Sequence, residues 1–429
     1  MARRPASSAR RAQWSWAFYD WANSAFATTV MAGFFPVFFK SYWATGMPAT
    51  ESTLRLGAAN AVASMLVVLL APLLGVIADR SGKKKGLLLM LATLGVLMTS
   101  GLFLVAEGYW LVAVGFYVLG VIGFAGANVA YDAMLLDVAE KSELERVSAM
   151  GFALGYLGGG LLFAVNVLMV LYPESFGLED KTQAVRLAFL MVAVWWAVFT
   201  LPVVLFVHEA PRPQAPSAIV GMRQTLHEFR ETWRLLRRLR MAFIFLLAYW
   251  CYIDGVDTIV RMAVDYGLSI GFAAESLLAA LLITQLVGFP AALAFGYIGD
   301  RMGAKRAIWL ALVVYVIIVF WAWRMTASWE FYGIAVVIGL VQGGIQAMSR
   351  ALYARMIPPQ HAGRLFGLYN MMGKFAAVVG PLLVGWVAVL TDSSRTGILS
   401  VLLLFLAGAW LLSQVNVAEG EREAGSLGG

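Results

Sequence analysis

A chain of 429 residues that is 61% apolar and only 13% charged does not have a soluble composition, which runs at about 45–50% apolar and about 25% charged. The net charge of +7 raises the question of a polyanion partner, but the Lys and Arg lie in short loops between apolar runs, so they report topology and no nucleic-acid partner is expected. The single cysteine, Cys251, excludes an internal disulfide or a cysteine metal site.

The apolar runs are about twenty residues long, which fits membrane helices; barrel strands would be about ten residues long and strictly alternating. Hydropathy gives twelve spans, at about 14–39, 54–78, 86–106, 110–137, 147–171, 184–207, 241–266, 273–299, 305–324, 330–355, 364–390 and 396–416. An even number of spans puts both termini on one side. The N-terminal tail and the loops after even-numbered spans hold about twenty-four of the 32 Lys and Arg, so that side is expected to be cytoplasmic. The basic start MARRPASSARR looks like the opening of a signal peptide, but Asp20 and Asn23 interrupt the apolar core that cleavage requires.

In the first span, WSWAFYDWANSAFATTV, residues Asp20, Asn23, Ser24, Ala27 and Thr28 recur at i, i+3, i+4, i+7 and i+8 and form one polar stripe. A carboxylate near a bilayer centre costs about 2.5–3.5 kcal/mol, so the stripe is expected to face a cavity. Residues 208–240 are the longest polar interval. They divide the chain into a six-span bundle (1–207), a linker, a second six-span bundle (241–416) and a tail (417–429). The linker begins as a Pro/Ala/Ser-rich irregular stretch. From about Gln224, Leu226, Phe229, Trp233 and Leu236 recur at helical spacing among arginines, which predicts an interfacial helix held by anionic headgroups.

The halves share a loop. Gly75-Val-Ile-Ala-Asp79-Arg80-Ser-Gly82-Lys83-Lys84-Lys85 follows span 2, and Gly296-Tyr-Ile-Gly-Asp300-Arg301-Met-Gly303-Ala-Lys305-Arg306 follows span 8. Glycines permit the turn and close helix approach, and an aspartate can accept from amides at a neighbouring helix N-terminus. The basic residues are expected to hold each loop at the membrane surface. Positive-inside loops alone would explain the charges but not the repeated Gly and Asp spacing.

Six plus six spans with this loop in both halves resemble the major facilitator superfamily. The resemblance implies an all-α integral membrane protein of twelve transmembrane helices in two pseudo-symmetric six-helix bundles, rocking about a central site. Tyr19-Asp20-Trp21-Ala22-Asn23-Ser24, Arg146-Val147-Ser148, Gly151 to Gly159, Gly343-Gly344-Ile-Gln346-Ala-Met-Ser349-Arg350 and Phe366-Gly367-Leu-Tyr369-Asn370 resemble the vacuolar amino-acid effluxer family and its bacterial relatives. Gly155-Tyr156 stands where antiporters of the superfamily usually carry Gly-Pro, and the usual arginine motif of span 4 is absent, so antiport is not implied.

In span 7, Asp254, Asp257, Arg261 and Asp265 fall nearly on one face. A salt-bridged ladder explains Arg261 with its neighbours, whereas Asp254 has no opposite charge within one turn, and either it or Asp20 is expected to carry protons. Lys374, one turn after Asn370 in span 11, is expected to be a cavity-facing cation that pairs with Asp20 or Asp254 or receives a substrate carboxylate. Span 4 carries Asn128, Tyr131 and Asp132 on one face, and span 10 carries Gln342, Gln346 and Arg350. These positions are expected to form an inner gate, with structural pairing between the halves an equal reading. The glycines of spans 5 and 11 and the Trp195-Trp196 pair read as packing positions.

No phosphate loop, metalloprotease motif or recognisable catalytic set occurs, so neither an enzyme nor a cofactor or metal site is expected. The chain reads as a secondary transporter of a small solute in a plasma or bacterial inner membrane. It is expected to be a monomer that contacts lipid and exports amino acids or similar polar metabolites, with proton coupling. A carrier of drug- or lipid-like amphiphiles and a non-transporting receptor or scaffold of the same fold remain the alternatives.

Overall fold

The computed structural model describes residues 6–209, 222–269 and 274–427; within these, the side chains of 222–226, 261–269, 274–278, 376–378 and a few single positions fall outside the description. It is helical throughout, with no strand among the described residues. Among the described residues, twelve helices are long and apolar enough to cross a membrane. They are span 1 (Ser7–Trp43), span 2 (Leu54–Ser81), span 3 (Lys84–Leu102), span 4 (Trp110–Val138), span 5 (Leu144–Leu171) and span 6 (Lys181–Phe206), then span 7 (Arg240–Val260), span 8 (Ala279–Met302), span 9 (Ala304–Arg324), span 10 (Trp329–Arg355), span 11 (Pro359–Thr391) and span 12 (Arg395–Gln414). Helices satisfy their own backbone polar groups, the condition for crossing hydrocarbon, and the expected spans coincide with them apart from their ends. The described chain begins and ends at one end of the bundle, the terminal face: Gln13 reaches Glu143 just before span 5, and the tail helix reaches Met241 at the start of span 7.

Span 1 departs from a regular α-helix. It is π-helical over Phe26–Phe34, where the Phe35 amide reaches back five residues to the Val30 carbonyl, and again over Phe39–Trp43. Such widened turns are rare and concentrate at functional sites.

The first and last six spans meet along two seams, span 2 against span 11 and span 5 against span 8. Glycine makes both close: a Cβ at Gly75 would lie 2.3 Å from the Gly363 carbonyl oxygen, and one at Gly296 would lie 2.7 Å from the Ala149 Cβ. The shared loops behave differently. Asp79 accepts from the amides of Gly363 (2.7 Å) and Arg364 (2.9 Å) at the start of span 11. Asp300 is exposed and makes no hydrogen bond or ion pair among the described residues, so the amide-capture expectation is corrected for the second copy. Gly82 (φ 61°) and Gly303 (φ 86°) supply the left-handed turn in each.

Lys84, Lys85 and Lys305 cap helix ends, which corrects the expectation of simple surface anchoring for these three. Lys84 is buried and donates to the Ala133 carbonyl (2.8 Å) and to Asp137 (2.7 Å). Lys85 donates to the carbonyls of Val204 (3.1 Å) and Val207 (3.0 Å), ending span 6; Lys305 does the same at Ser413 (3.1 Å) and Val415 (2.7 Å), ending span 12. Glu209 accepts the Lys85 amide at 2.7 Å, and partial burial pushes its carboxyl above the usual range.

The linker forms a helix, Met222–Arg238, while the irregular stretch expected before it lies largely outside the described residues. The helix is not simply laid on lipid: Glu228, Thr232 and Leu236 form a buried stripe against the bundle. Its Glu228 pairs with Arg80 and lies 3.8 Å from Arg364. A tail helix, Val417–Ser426, docks beside span 7, where Glu423 accepts the Met241 amide at 3.0 Å.

Candidate functional site: a polar cavity between the halves

Between the two sets of spans lies a cavity of about 410 Å³. The stripe Asp20, Asn23, Ser24 and Thr28 lines it from span 1, as the helical spacing predicts. Amides supply much of the wall, from Asn23, Asn128, Gln285, Gln342, Gln346 and Asn370, with Tyr156, Tyr249 and Tyr369 between them. Asn23 donates to Asn128 at 2.7 Å, and Gln285 donates to Thr28 at 2.7 Å, joining span 8 to span 1 within its π-helical stretch.

The terminal-face end of the cavity is filled by one side chain. Arg350 of span 10 reaches into the first six spans, where its Nη1 lies 3.0 Å from Asp132 and 3.6 Å from Asp20. Its Nε donates to the Ser148 hydroxyl and its Nη2 to the Ser148 carbonyl, both at 2.9 Å. The guanidinium carbon lies 4.3 Å from the Phe152 ring centre, 4.9 Å from Trp16 and 5.3 Å from Tyr131. Arg350 is 2% exposed, Asp132 7% and Asp20 9%, so the cluster holds two desolvated carboxylates against one guanidinium. The carboxylates are otherwise satisfied: Tyr131 donates to Asp20 and Asn370 to Asp132, each at 2.9 Å. Removing one member of such a buried cluster strands charge at a cost of about 3–5 kcal/mol.

Glycine makes this packing possible. A Cβ at Gly151 would lie 2.7 Å from the Tyr131 hydroxyl, 2.9 Å from Asp20 Oδ2 and 3.0 Å from Arg350 Nη2. Gly155, expected only to pack helices, also lines the cavity. Nearer the terminal face, Arg355 grips Glu145 with two bonds of 2.6 Å and lies 3.4 Å from Glu421 of the tail helix. The Ser148 hydroxyl also donates to the Ala347 carbonyl at 2.8 Å.

The structure thus brings Asp20, Tyr131, Asp132, Asn370 and Arg350 into one cluster, with Asn23, Asn128 and Gln346 lining the cavity beside it. It does not bring in Asp254. That residue is 1% exposed and accepts the Gly380 amide at 2.9 Å, so its carboxylate is turned toward span 11, away from the described cavity lining. Of the two acids expected to carry protons, Asp20 borders the cavity, whereas Asp254 accepts from a backbone amide of span 11. Lys374 is also not the partner of Asp20, a place held by Arg350; its Nζ lies 6.0 Å from the Phe124 ring centre. Asp257 is half-buried, while the side chains of Arg261 and Asp265 lie outside the described residues.

Sequence reasoning missed the receptacle for the guanidinium: Trp16, Ser148 and Phe152. Trp16 carried a usable signal, lying one turn before Asp20 on the same stripe. Phe152 carried none, since an aromatic in a membrane span is ordinary. Trp195 and Trp196 are packing residues as expected, Trp196 fully buried and Trp195 stacked on Trp21 at 5.5 Å.

Comparison with known proteins agrees with this architecture. The family model described as "Vacuole effluxer Atg22 like" matches residues 49–425. The uncharacterized MFS-type transporter YxiO of Bacillus subtilis is 38% identical over 404 residues, covering 94% of each chain. Autophagy-related protein 22-2 of Aspergillus clavatus is 26% identical over 298 residues, 63% of this chain and 47% of the fungal one, so the chain spans about half the length of such fungal relatives. Among solved structures, the human organic anion transporter MFSD10 superposes with a TM-score of 0.75 at 18% identity, covering 95% of this chain and 100% of that one. The proton:xylose symporter XylE gives 0.70 at 14% identity, covering 99% and 98%; at these identities the likeness shows the fold alone. Matched by the family model over most of its length, with twelve membrane-crossing helices in the major facilitator arrangement, the chain belongs to the Atg22-like vacuole effluxer family and is an MFS-type transporter, a multi-pass integral membrane protein and not an enzyme.

Proposed function

We propose that this transporter exports amino acids or similar polar metabolites by alternating access, with proton coupling at the Asp20–Asp132–Arg350 cluster. The observation that carries the reading is the insertion of Arg350 from one half into a pocket of the other, directly below a cavity walled by amides and tyrosines. Opening the terminal face requires withdrawing that guanidinium from both carboxylates. A proton on Asp20 or Asp132 lowers the cost, because one neutral carboxyl releases part of the attraction. The rocking units are residues 1–207 and 241–416, joined through 208–240, with the tail 417–429 on the second. The basic loops favour a cytoplasmic terminal face in a plasma or bacterial inner membrane. Efflux is favoured by the family's description, and amides able to donate and accept suit a zwitterionic solute.

The test is efflux of a mixed amino-acid pool from proteoliposomes, with and without an imposed pH gradient. The unaltered protein is expected to release amino acids in response to the gradient, Asp20→Asn to lose the response, and Asp254→Asn to keep it. No efflux above empty vesicles, from folded protein, discards the amino-acid assignment.

A second reading, transport of an amphiphile, draws on a smaller apolar recess of about 120 Å³ that shares Tyr156, Gln285 and Gln342 with the cavity and is otherwise lined by residues such as Phe331, Ile334 and Ile338. Failure of free amino acids to compete with a lipophilic cation would favour it.

A further inference from the structure

The linker helix Met222–Arg238 presents three faces in succession around its axis. The first is buried and clasps the seam. Glu228 pairs with Arg80, in the last turn of span 2, and approaches Arg364, near the start of span 11, so one carboxylate touches both halves where Asp79 already joins them. The second face is aromatic: Phe229 and Trp233, one turn apart, are 37% and 39% exposed. The third is basic, with Arg230, Arg234, Arg237 and Arg238 all exposed and a single neighbouring carboxylate, Glu231, bonded to Arg234 at 2.6 Å.

Connectivity sets the depth of this helix. It ends at Arg238, and span 7 starts at Arg240, so its last turn sits at the membrane boundary. Trp233 packs edge-on against Phe243 in the first turn of span 7, with ring centres 5.6 Å apart, which places the aromatic face at headgroup level. Lys83, exposed in the adjoining loop, adds a further cation on this side.

We propose that the linker helix is an anionic-lipid sensor that controls the terminal face. Its basic face takes the headgroups of anionic phospholipids, Phe229 and Trp233 enter the interface, and the helix so held keeps Glu228 on Arg80 and Arg364, latching the halves together. Charge complementarity selects the occupant: four arginines against one carboxylate, at headgroup depth, match an anionic leaflet. An arginine at such a surface is worth about 1 kcal/mol, or about fivefold in the latching equilibrium.

The experiment uses the full chain in nanodiscs of phosphatidylcholine alone or mixed with phosphatidylglycerol, without substrate, so that its failure is separate from failure of the transport reading. With Cys251→Ser as background, Ala149→Cys places a thiol in the buried span 5–span 8 seam, and maleimide labelling reports opening. Phosphatidylglycerol is expected to slow labelling by about fivefold or more. Arg230→Gln, Arg234→Gln and Arg237→Gln combined should abolish the lipid effect, while lysine at the same three positions should keep most of it and serve as the folding control. Glu228→Gln should label faster in both lipids. Equal labelling with and without phosphatidylglycerol, or a full lipid response in the glutamine variant, overturns the proposal. So does protection by soluble polyglutamate but not by lipid, which would identify an acidic polypeptide as the occupant.

Discussion

Asp132 and Arg350 occupy matching places in the fourth span of each half, 218 positions apart, and their side chains meet at 3.0 Å. Residues related in this way touch only if both lie close to the axis relating the halves. Opposite charges at one such pair of positions therefore bind the halves to each other at the centre of the molecule.

Arg350→Gln should leave Asp20 and Asp132 facing each other without a cation. The closed arrangement is expected to lose about 3–5 kcal/mol, read as faster labelling at Ala149→Cys and lower thermal stability in detergent. Arg350→Lys should rescue little, because an ammonium cannot reproduce the fork that spans Asp132 and both oxygens of Ser148.

The two loop aspartates should differ sharply despite identical motifs. Asp79→Ala removes the acceptor of two amides at the start of span 11, and bonds to a charged group contribute about 1.5–3 kcal/mol each. Asp300→Ala, at an exposed position, should change stability by no more than about 0.5 kcal/mol. Parallel thermal melts of the two variants decide this, and equal losses would refute it.

Gly151→Ala should act on the Arg350 cluster without changing its charge. The added methyl meets the Tyr131 hydroxyl, Asp20 and Arg350 at 3.0 Å or less, and overpacking of this kind costs about 1–3 kcal/mol. Gly385→Ala is the matched control: nothing lies within 4 Å of where its methyl would sit, so the higher helix propensity of alanine should leave stability unchanged or raised. Thermal melts of the two variants side by side check the contrast.

Glu209 gives a pH signature outside the membrane. Burial raises its carboxyl in the folded protein, so the folded state binds this proton more tightly than the unfolded chain does. Its stabilising contribution is complete below the ordinary glutamate range and is lost as pH rises through the raised value. Glu209→Gln, which keeps an acceptor for the Lys85 amide, should flatten this part of the pH profile of thermal stability.

The spans and the polar stripe of span 1 were legible because hydropathy and a 3.6-residue period act within one helix. Asp20 was recognisable for that reason. What escaped the sequence depends on a second helix: nothing in span 7 tells that Asp254 accepts the Gly380 amide, and Asp300 carries the same motif as Asp79 but docks on nothing described. Partnership between spans is set by how the helices pack and register, and local spacing does not encode it. The receptacle of Arg350 escaped for the same reason, since Trp16, Ser148 and Phe152 come from two different spans.

The contact between Gly75 and Gly363 joins bare peptide to bare peptide, with no side chain between spans 2 and 11 at that point. Rotamer changes cannot loosen it, and neither side of the seam has any slack to give. Such a contact is held at full closeness or lost outright, so the Glu228 bridge between Arg80 and Arg364 beside it acts on a joint that does not loosen by degrees. Asp79, one turn beyond Gly75, holds the Gly363 amide itself, so the peptide contact and its hydrogen bond are made or broken as one unit.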